Sequence, residues 1–322
     1  MDWGRYLEEI RETYLSLIEA ITPHEPVLLG TGNVEETRSY LSTRLGTEAL
    51  RRVRLVECPH DDTWARDFGM LTLISDKGNP LLLDFRFNGW GRKFQADRDN
   101  MSSERYFAQG LFSGQLIDCQ DLVLEGGSIE SDGQGTILTT AQCLLAPHRN
   151  QPLSQAEIER LLLYRLGAKR VIWLHHGTLI GDDTDGHIDT IVRMAPGDTL
   201  LYVKCEDEND PQHEDFLMLE QELSRLRTLE GKPYRLIPLP MPKAIYYQGE
   251  RLPATYANFL VVNGAVIVPT YGQPDNDAIA MERIAKAFPG RQVIGVDARV
   301  IIRQHGSIHC LTMQYPENTP RL

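Results

Sequence analysis

Short apolar strand segments alternate with amphipathic helices along this chain, but tight turns break the alternation, and that pattern limits the fold more than any other feature. Asn263-Gly264 separates FLVV from AVIV, the residue pair that a two-residue hairpin loop favours. DGQG precedes TILTT in the same way. Other segments with strand character are RRVRLVEC, GMLTLI, PLLLDFRF, DLVLEGGSI, RVIWLHH, TLLYVKC, RLIPLP, QVIGVDA and SIHCLTMQ. Five helices are predicted between them. Trp3, Tyr6, Leu7, Ile10, Tyr14, Leu17 and Ile18 recur at three- and four-residue steps. Asn33 with Glu36 caps a second helix, which Gly46 ends. Ser154 with Glu157 opens a third, closed by Gly167; residues 214–230 form a fourth, and residues 276–288 a fifth, stopped by Pro289-Gly290. Hairpins inside the alternation argue against a doubly wound parallel sheet.

The 322 residues hold no low-complexity segment or linker, so a single domain spanning 1–322 is expected. DGQGTILTT and NGAVIVPT form a weak repeat of turn and strand. A net charge of −12 argues against nucleic acid and suits a cationic ligand. The same charge also serves solubility. Five widely spaced cysteines without a CxxC pair fit reduced thiols in a cytoplasmic protein better than a disulfide framework or a zinc knuckle. No apolar run reaches membrane-spanning length, and the N-terminus does not read as a signal peptide.

Four segments could carry chemistry. GDDTDGHIDT, residues 181–190, packs Asp182, Asp183, Asp185 and Asp189 around His187. Such a run stays ordered only if water, a metal or a bound cation offsets its repulsion. HDDTWARDFG holds Asp61, Asp62 and Asp67 beside Arg66. LEGGSIESDG places Glu125 at a strand end before two glycines, which let another group approach closely. HGSIHCLTMQ places Cys310 within an apolar strand. Taken singly, these are a solvated acidic loop, a turn glutamate, a structural histidine and a small buried thiol. Together they match a thiol nucleophile assembled in space with histidine and carboxylates. The spacing adds to this: 58 residues separate Asp67 from Glu125, 62 separate Glu125 from His187, and 123 separate His187 from Cys310. A ring of five similar strand–helix modules would bring one residue of each to a shared axis.

At this point the chain resembles the agmatine deiminases, close relatives of the bacterial peptidyl-arginine deiminases. DDTWARDFG, VLEGGSI, TDGHID, YANFLVVNG and GSIHCLTMQ carry the resemblance, in the family's order and over nearly the whole chain. It implies an α/β fold, the five-bladed α/β propeller (pentein) with pseudo-fivefold symmetry, and no cofactor. It implies Cys310 as nucleophile, His187 as general acid/base, and Asp67 and Asp189 as the carboxylates that hold a small cationic guanidine substrate. Glu125 would orient and charge the histidine, and Asn258, with Tyr246 and Tyr247, would line the pocket. Asp189 would then meet a substrate cation, while Asp182, Asp183 and Asp185 stay solvated or shape their loop. The implied reaction converts agmatine to N-carbamoylputrescine and ammonia through an S-alkylthiouronium, towards putrescine, and a homodimer is compatible with the family. Two departures stand out: Gln304-His305-Gly306 is less glycine-rich than the family's approach to the cysteine, and the family's tryptophan-proline strand before the first helix is missing, which bears on the substrate wall.

Three other readings remain open at this level. Arginine or peptidyl-arginine could be the substrate, if Arg66, Arg86 or Arg92 reaches a pocket. A metal-dependent hydrolase would use His60, Asp61, Asp185, His187 and Asp189. A non-catalytic binder of cationic amines would keep the fold without turnover.

Overall fold

Strand pairing follows one rule through most of the computed structural model, which describes residues 3–321. Strand β3 (Leu71–Ile74) runs antiparallel to β4 (Pro80–Arg86), and β4 pairs in parallel with β5 (Gln115–Val123). The same hairpin-then-parallel order recurs in β6 (Ile129–Ser131), β7 (Thr136–Thr140) and β8 (Arg170–Leu174). It recurs again in β9 (Val192–Ala195), β10 (Thr199–Lys204) and β11 (Arg235–Pro240). After a two-residue-per-strand ribbon, β12 (Tyr246–Tyr247) with β13 (Glu250–Arg251), it appears a fourth time in β14 (Leu260–Val262), β15 (Ala265–Thr270) and β16 (Gln292–Asp297). Near the N-terminus, β1 (Val27–Thr31) and β2 (Val53–Glu57) form a two-stranded parallel sheet. The class is α/β, with mixed sheets that stay separate from one another among the described residues.

Local chemistry explains each step. A parallel partner needs a crossover, and helices Val34–Arg44, Gln155–Arg165, His213–Arg225 and Pro274–Ala287 supply it. The Asn33 side chain accepts from Glu36 N, and Ser154 with Glu157 forms the full capping box. In the β14–β15 hairpin Val262 faces Ala265, and Gly264 takes the positive φ of the loop. Strand β15 is buried along nearly its whole length, which accounts for the continuous apolar run AVIVPT. The N-terminal helix, Leu7–Ile21, turns Ile10, Leu17 and Ile21 into a core cluster that extends to Leu311.

Several elements differ from the sequence expectation. The helix beginning at His213 ends at Arg225, five residues before the expected Glu230. Leu226 turns extended, and Gly231 serves a tight return that bridges Arg227 to Pro233 rather than a helix end. Strands β1 and β9 had no clear signal: β9 carries Arg193, whose buried guanidinium is satisfied by Glu130 and the carbonyls of Ala257 and Phe259. The largest correction concerns SIHCLTMQ. It is a series of turns after the short 3-10 helix Ile301–Gln304, not a strand. Its amides are taken locally and by a side chain: Leu311 N donates to Ser307 O, Thr312 N to His309 O, and His309 N to Asn258 Oδ1.

Candidate active site

The segments that lead into the hairpins meet at one centre. Asp67 lies on the single turn Ala65–Phe68 before β3, Glu125 directly ahead of the turn Gly126–Ser128 that enters β6, and His187 and Asp189 ahead of β9. Asn258 precedes β14, and Cys310 follows β16. All six candidates are buried, and direct contacts or close approaches connect them. The near-sixty-residue interval seen in the sequence is therefore the length of one sheet-and-crossover unit.

Asp67 is fixed from two sides. Trp90 Nε1 donates to its Oδ2 at 3.0 Å, and Gly127 N donates to its Oδ1 at 3.0 Å. Trp90 adopts φ 55°, a left-handed conformation that bulky residues rarely take, between Gly89 and Gly91. Its indole is thereby directed at the carboxylate. Gly127 is also the point of closest approach. A Cβ there would lie 2.6 Å from His187 Nδ1, 2.8 Å from Asp67 Oδ1 and 3.1 Å from Asp189 Oδ2. Only glycine fits among the three.

Asp189 accepts a 2.6 Å hydrogen bond on Oδ2 from His309 Nδ1. Arg193 Nη2 lies 3.1 Å from the other ring nitrogen of His309 and can only donate, so Nε2 is the lone-pair side and Nδ1 carries the proton. Asp189 Oδ1 has no hydrogen-bond partner. Asn258 holds the thiol: its Nδ2 reaches Cys310 Sγ at 3.3 Å, and its Oδ1 accepts from His309 N and Cys310 N. This is contact with the nucleophile's own segment. Tyr246 is 63% exposed and lies on the β12–β13 ribbon with Tyr247, which packs edge-on against Tyr6. Cys310 Sγ stands 3.8 Å from Asp189 Oδ2.

Glu125 sits in a fully buried ion pair, with Arg149 Nε 2.8 Å from its Oε1. The same guanidinium donates to Asp185 Oδ2 at 2.6 Å and to Thr184 O at 2.6 Å, and Lys93 Nζ caps Asp185 Oδ1 at 2.7 Å. The aspartate-rich run is thus offset in part by the chain's own cations. Asp185 is an ion-pair partner of buried Arg149 and of Lys93, which matches the loop-shaping alternative rather than free solvation. Asp182 does shape the loop, accepting from Thr184 Oγ1 and Gly186 N. Glu125 makes no hydrogen bond to His187; its Oε2 and both ring nitrogens of His187 are buried without partners. The closest carboxylate contact of His187 is Asp67 Oδ1, 3.6 Å from Nδ1 and beyond hydrogen-bond range.

Burial sets the protonation states. It pushes the Cys310 thiol well above its ordinary value, and Asp189 and Asp67 push it further. Burial, then Arg149 and Lys93, hold His187 well below the usual imidazole range. Asp67 is raised well above the carboxylate range by burial and by the charges of Asp189 and Glu125. Asp189 is raised to about 7 by burial, with Arg193 and Arg66 pulling the other way. Burial works against the charge of Arg149, but Glu125, Cys143 and Asp185 outweigh it and raise its pKa above the ordinary guanidinium value. The resting centre therefore pairs a neutral thiol with a neutral histidine.

Other candidates fall elsewhere. Arg66 is buried and uses its donors on His309 O, Met313 and Gln314. Arg86 and Arg92 line a separate pocket of about 280 Å³ with Asn88 and Phe94. Asp61 and Asp62 are not a free loop: the buried carboxylate of Asp99 accepts from both of their amides. His60, Asp61, Asp185, His187 and Asp189 do not assemble as a ligand set; His60 contacts Cys58 O instead. Sequence reasoning missed Trp90, Arg149, Arg193 and His309, while the close approach read at the two glycines of LEGG falls on Gly127. The run NGWGR around Trp90 was an available signal, while Arg149 and His309 had none.

The sequence profile of the Porphyromonas-type peptidyl-arginine deiminases matches residues 1–316. The chain belongs to that family. It is similar to a Marinomonas sp. (strain MWYL1) protein provisionally named an agmatine deiminase, 37% identical over 83% of this chain and 77% of that one. A Legionella pneumophila (strain Paris) protein of the same provisional name is 34% identical over 98% and 89%. Among solved structures, the provisionally named arginine deiminase of Porphyromonas gingivalis superposes with a TM-score of 0.93 at 46% identity, covering 100% of this chain and 94% of that one. A cysteine-to-serine variant of C. jejuni agmatine deiminase with substrate bound gives 0.87 at 38%, over 96% and 88%. Membership places this chain among the hydrolases that act on guanidino C–N bonds. None of the helices in the described residues is long and apolar enough to cross a membrane.

Proposed function

We propose that the protein is a cysteine-dependent deiminase that converts agmatine to N-carbamoylputrescine and ammonia, with the five sheets other than the β12–β13 ribbon as the blades of a five-bladed propeller around the site. One observation carries this reading. Asp189 Oδ1, beside a fixed Asp67 and within one side chain of Cys310 Sγ, is a buried acceptor without a donor. An unpaired buried acceptor costs roughly 1–3 kcal/mol. A guanidinium is planar, cationic and rich in donors, so it satisfies that oxygen and relieves the repulsion between the carboxylates.

The resting protonation states give the order of events. Neutral Cys310 and neutral His187 exclude a standing thiolate–imidazolium pair, so the arriving cation activates the thiol. Its charge offsets Asp189 and Asp67, which add to burial in raising the thiol's pKa. His187 accepts the thiol proton, and Cys310 Sγ adds to the guanidinium carbon. His187 returns that proton to the departing NH2 group, ammonia leaves, and an S-alkylthiouronium remains on Cys310. His187 then takes a proton from water, and the hydroxide adds to the same carbon. The C–S bond breaks, the sulfur recovers its proton from His187, and the protonated urea releases its hydroxyl proton to solvent, where the ammonia already released becomes ammonium. Asn258 keeps Sγ in line throughout, and Glu125 stabilises the transient imidazolium. Agmatine is favoured over arginine because Arg66 is committed to other partners, while Arg86 and Arg92 lie in a separate pocket.

Ammonia release from agmatine, arginine and a blocked peptidyl-arginine, each with and without iodoacetamide and a chelator, tests the reading. Agmatine turnover abolished by alkylation and by Cys310→Ala, and undiminished by the chelator, is expected. Ammonia release by Cys310→Ala at the wild-type rate would sink the mechanism. Turnover of peptidyl-arginine alone would overturn the substrate.

A further inference from the structure

His187 and Glu125 border a buried thiol, Cys143, that the deimination chemistry does not use. Glu125, Cys143 and His187 each bring one donor atom within 4.8 Å of the other two, and all three residues are fully buried. Glu125 Oε2 and both His187 nitrogens have no hydrogen-bond partner. The arrangement is tied together by the backbone. Thr140 caps the turn Ala141–Leu144, accepting from Cys143 N at 3.2 Å, and donates through the same hydroxyl to Gly186 O at 2.6 Å. Cys143 is thereby held against the segment that carries His187.

We propose that Glu125, Cys143 and His187 form an inhibitory site for a zinc-type divalent cation, which stops the enzyme by occupying His187. The inhibition rests on the role given to His187 above; the binding does not. One thiolate, one imidazole and one carboxylate make the mixed set that zinc favours, and two anionic ligands neutralise the ion in a dry interior. The donors must close by about 1 Å to reach zinc bond lengths of about 2.0–2.3 Å. The Cys143 proton is displaced to solvent on binding. Arg149, 2.8 Å from Glu125 Oε1, opposes the cation and makes the site reversible rather than structural.

Metal-free protein titrated with cobalt(II), alongside Cys143→Ala, Cys143→Ser and Cys310→Ala, decides the matter. A thiolate-to-cobalt charge-transfer band is expected in the wild type and in Cys310→Ala, and not in Cys143→Ala. Zinc that slows wild-type ammonia release about tenfold or more should slow Cys143→Ala less than about twofold. Cys143→Ser, with wild-type near-ultraviolet circular dichroism, separates loss of the ligand from loss of the fold. A band that follows Cys310, equal zinc inhibition of wild type and Cys143→Ala, or no band in any protein overturns the site. If no guanidine is turned over, the cobalt band still decides binding.

Discussion

Asp189 is anchored by one oxygen and offers the other. His309 occupies Oδ2, and because Arg193 fixes the tautomer of His309, the carboxylate cannot rotate without breaking that hydrogen bond. Its raised pKa of about 7 means that agmatine meets a charged partner above that pH and a neutral one below. For the proposed reaction, kcat/KM for agmatine should fall as the pH drops through about 7. The limb belongs jointly to Asp189 and Asp67, which couple through their charges. Asp189→Asn should lower kcat/KM at pH 8 by roughly 100-fold or more, the loss typical of a buried charged contact. The acid limb should also flatten in that variant. A pH–rate profile of both proteins checks this, and a variant that keeps the full limb would remove Asp189 from cation binding. At this scale the sequence was partly legible. His187, Asp189 and Cys310 stood out because charged and nucleophilic types cluster in TDGHID and IHCL. His309 did not, since a histidine beside a cysteine has no distinct pattern until Asp189 and Arg193, from a different unit of the chain, are brought against it.

At the scale of elements, the sheets are scaffolding and the segments entering them do the chemistry. Strands β3, β6, β9 and β14 are short and begin just after Asp67, Glu125, His187–Asp189 and Asn258, so each site backbone is set by a pairing that starts within a few residues. Hairpins and caps were readable because Asn263-Gly264 and Ser154…Glu157 are local signals. The turns around Cys310 were not, because alternation in SIHCLTMQ imitates a strand while Asn258, some fifty residues upstream, takes the amides that a ladder would use. Arg149 had a similar fate: it lies in the loop after the turn Ala141–Leu144 and gains meaning only where that loop meets the aspartate-rich one. Its charge depresses His187 and compensates Glu125. Arg149→Gln should therefore cut kcat about 10- to 1,000-fold and move the acid limb of kcat to higher pH, because His187 becomes easier to protonate. Arg149→Lys retains the positive charge without the fork, so the limb should return towards its wild-type position while kcat stays low. Equal limbs in Gln and Lys variants would reduce Arg149 to a packing role.

On the scale of the whole molecule, the chain carries a net charge of −12 and buries several carboxylates at its centre. Asp189 titrates near 7 in the fold and near 3.9 in an unfolded chain. Its contribution to stability is present below about 4 and is lost as the pH rises through 7. His187 acts in the opposite sense: its depressed pKa favours the fold above about 6.5, and that contribution is lost as the pH falls. Both trends favour cation binding at higher pH, since a charged Asp189 attracts agmatine and a neutral His187 does not repel it. A ligand that binds only the native state raises Tm according to its affinity, so the shift itself reports these protonation states. In a Cys310→Ser variant, which removes turnover, saturating agmatine should raise Tm at pH 8 by roughly 2 °C more than at pH 6, as a tenfold affinity change implies for a chain of this size. Comparing each pH with its own ligand-free control removes the background from other titrating groups, including Asp99 and Asp84, which burial raises to about 6. Equal shifts at the two pH values, or a larger one at pH 6, would mean that the buried carboxylates are not what agmatine meets.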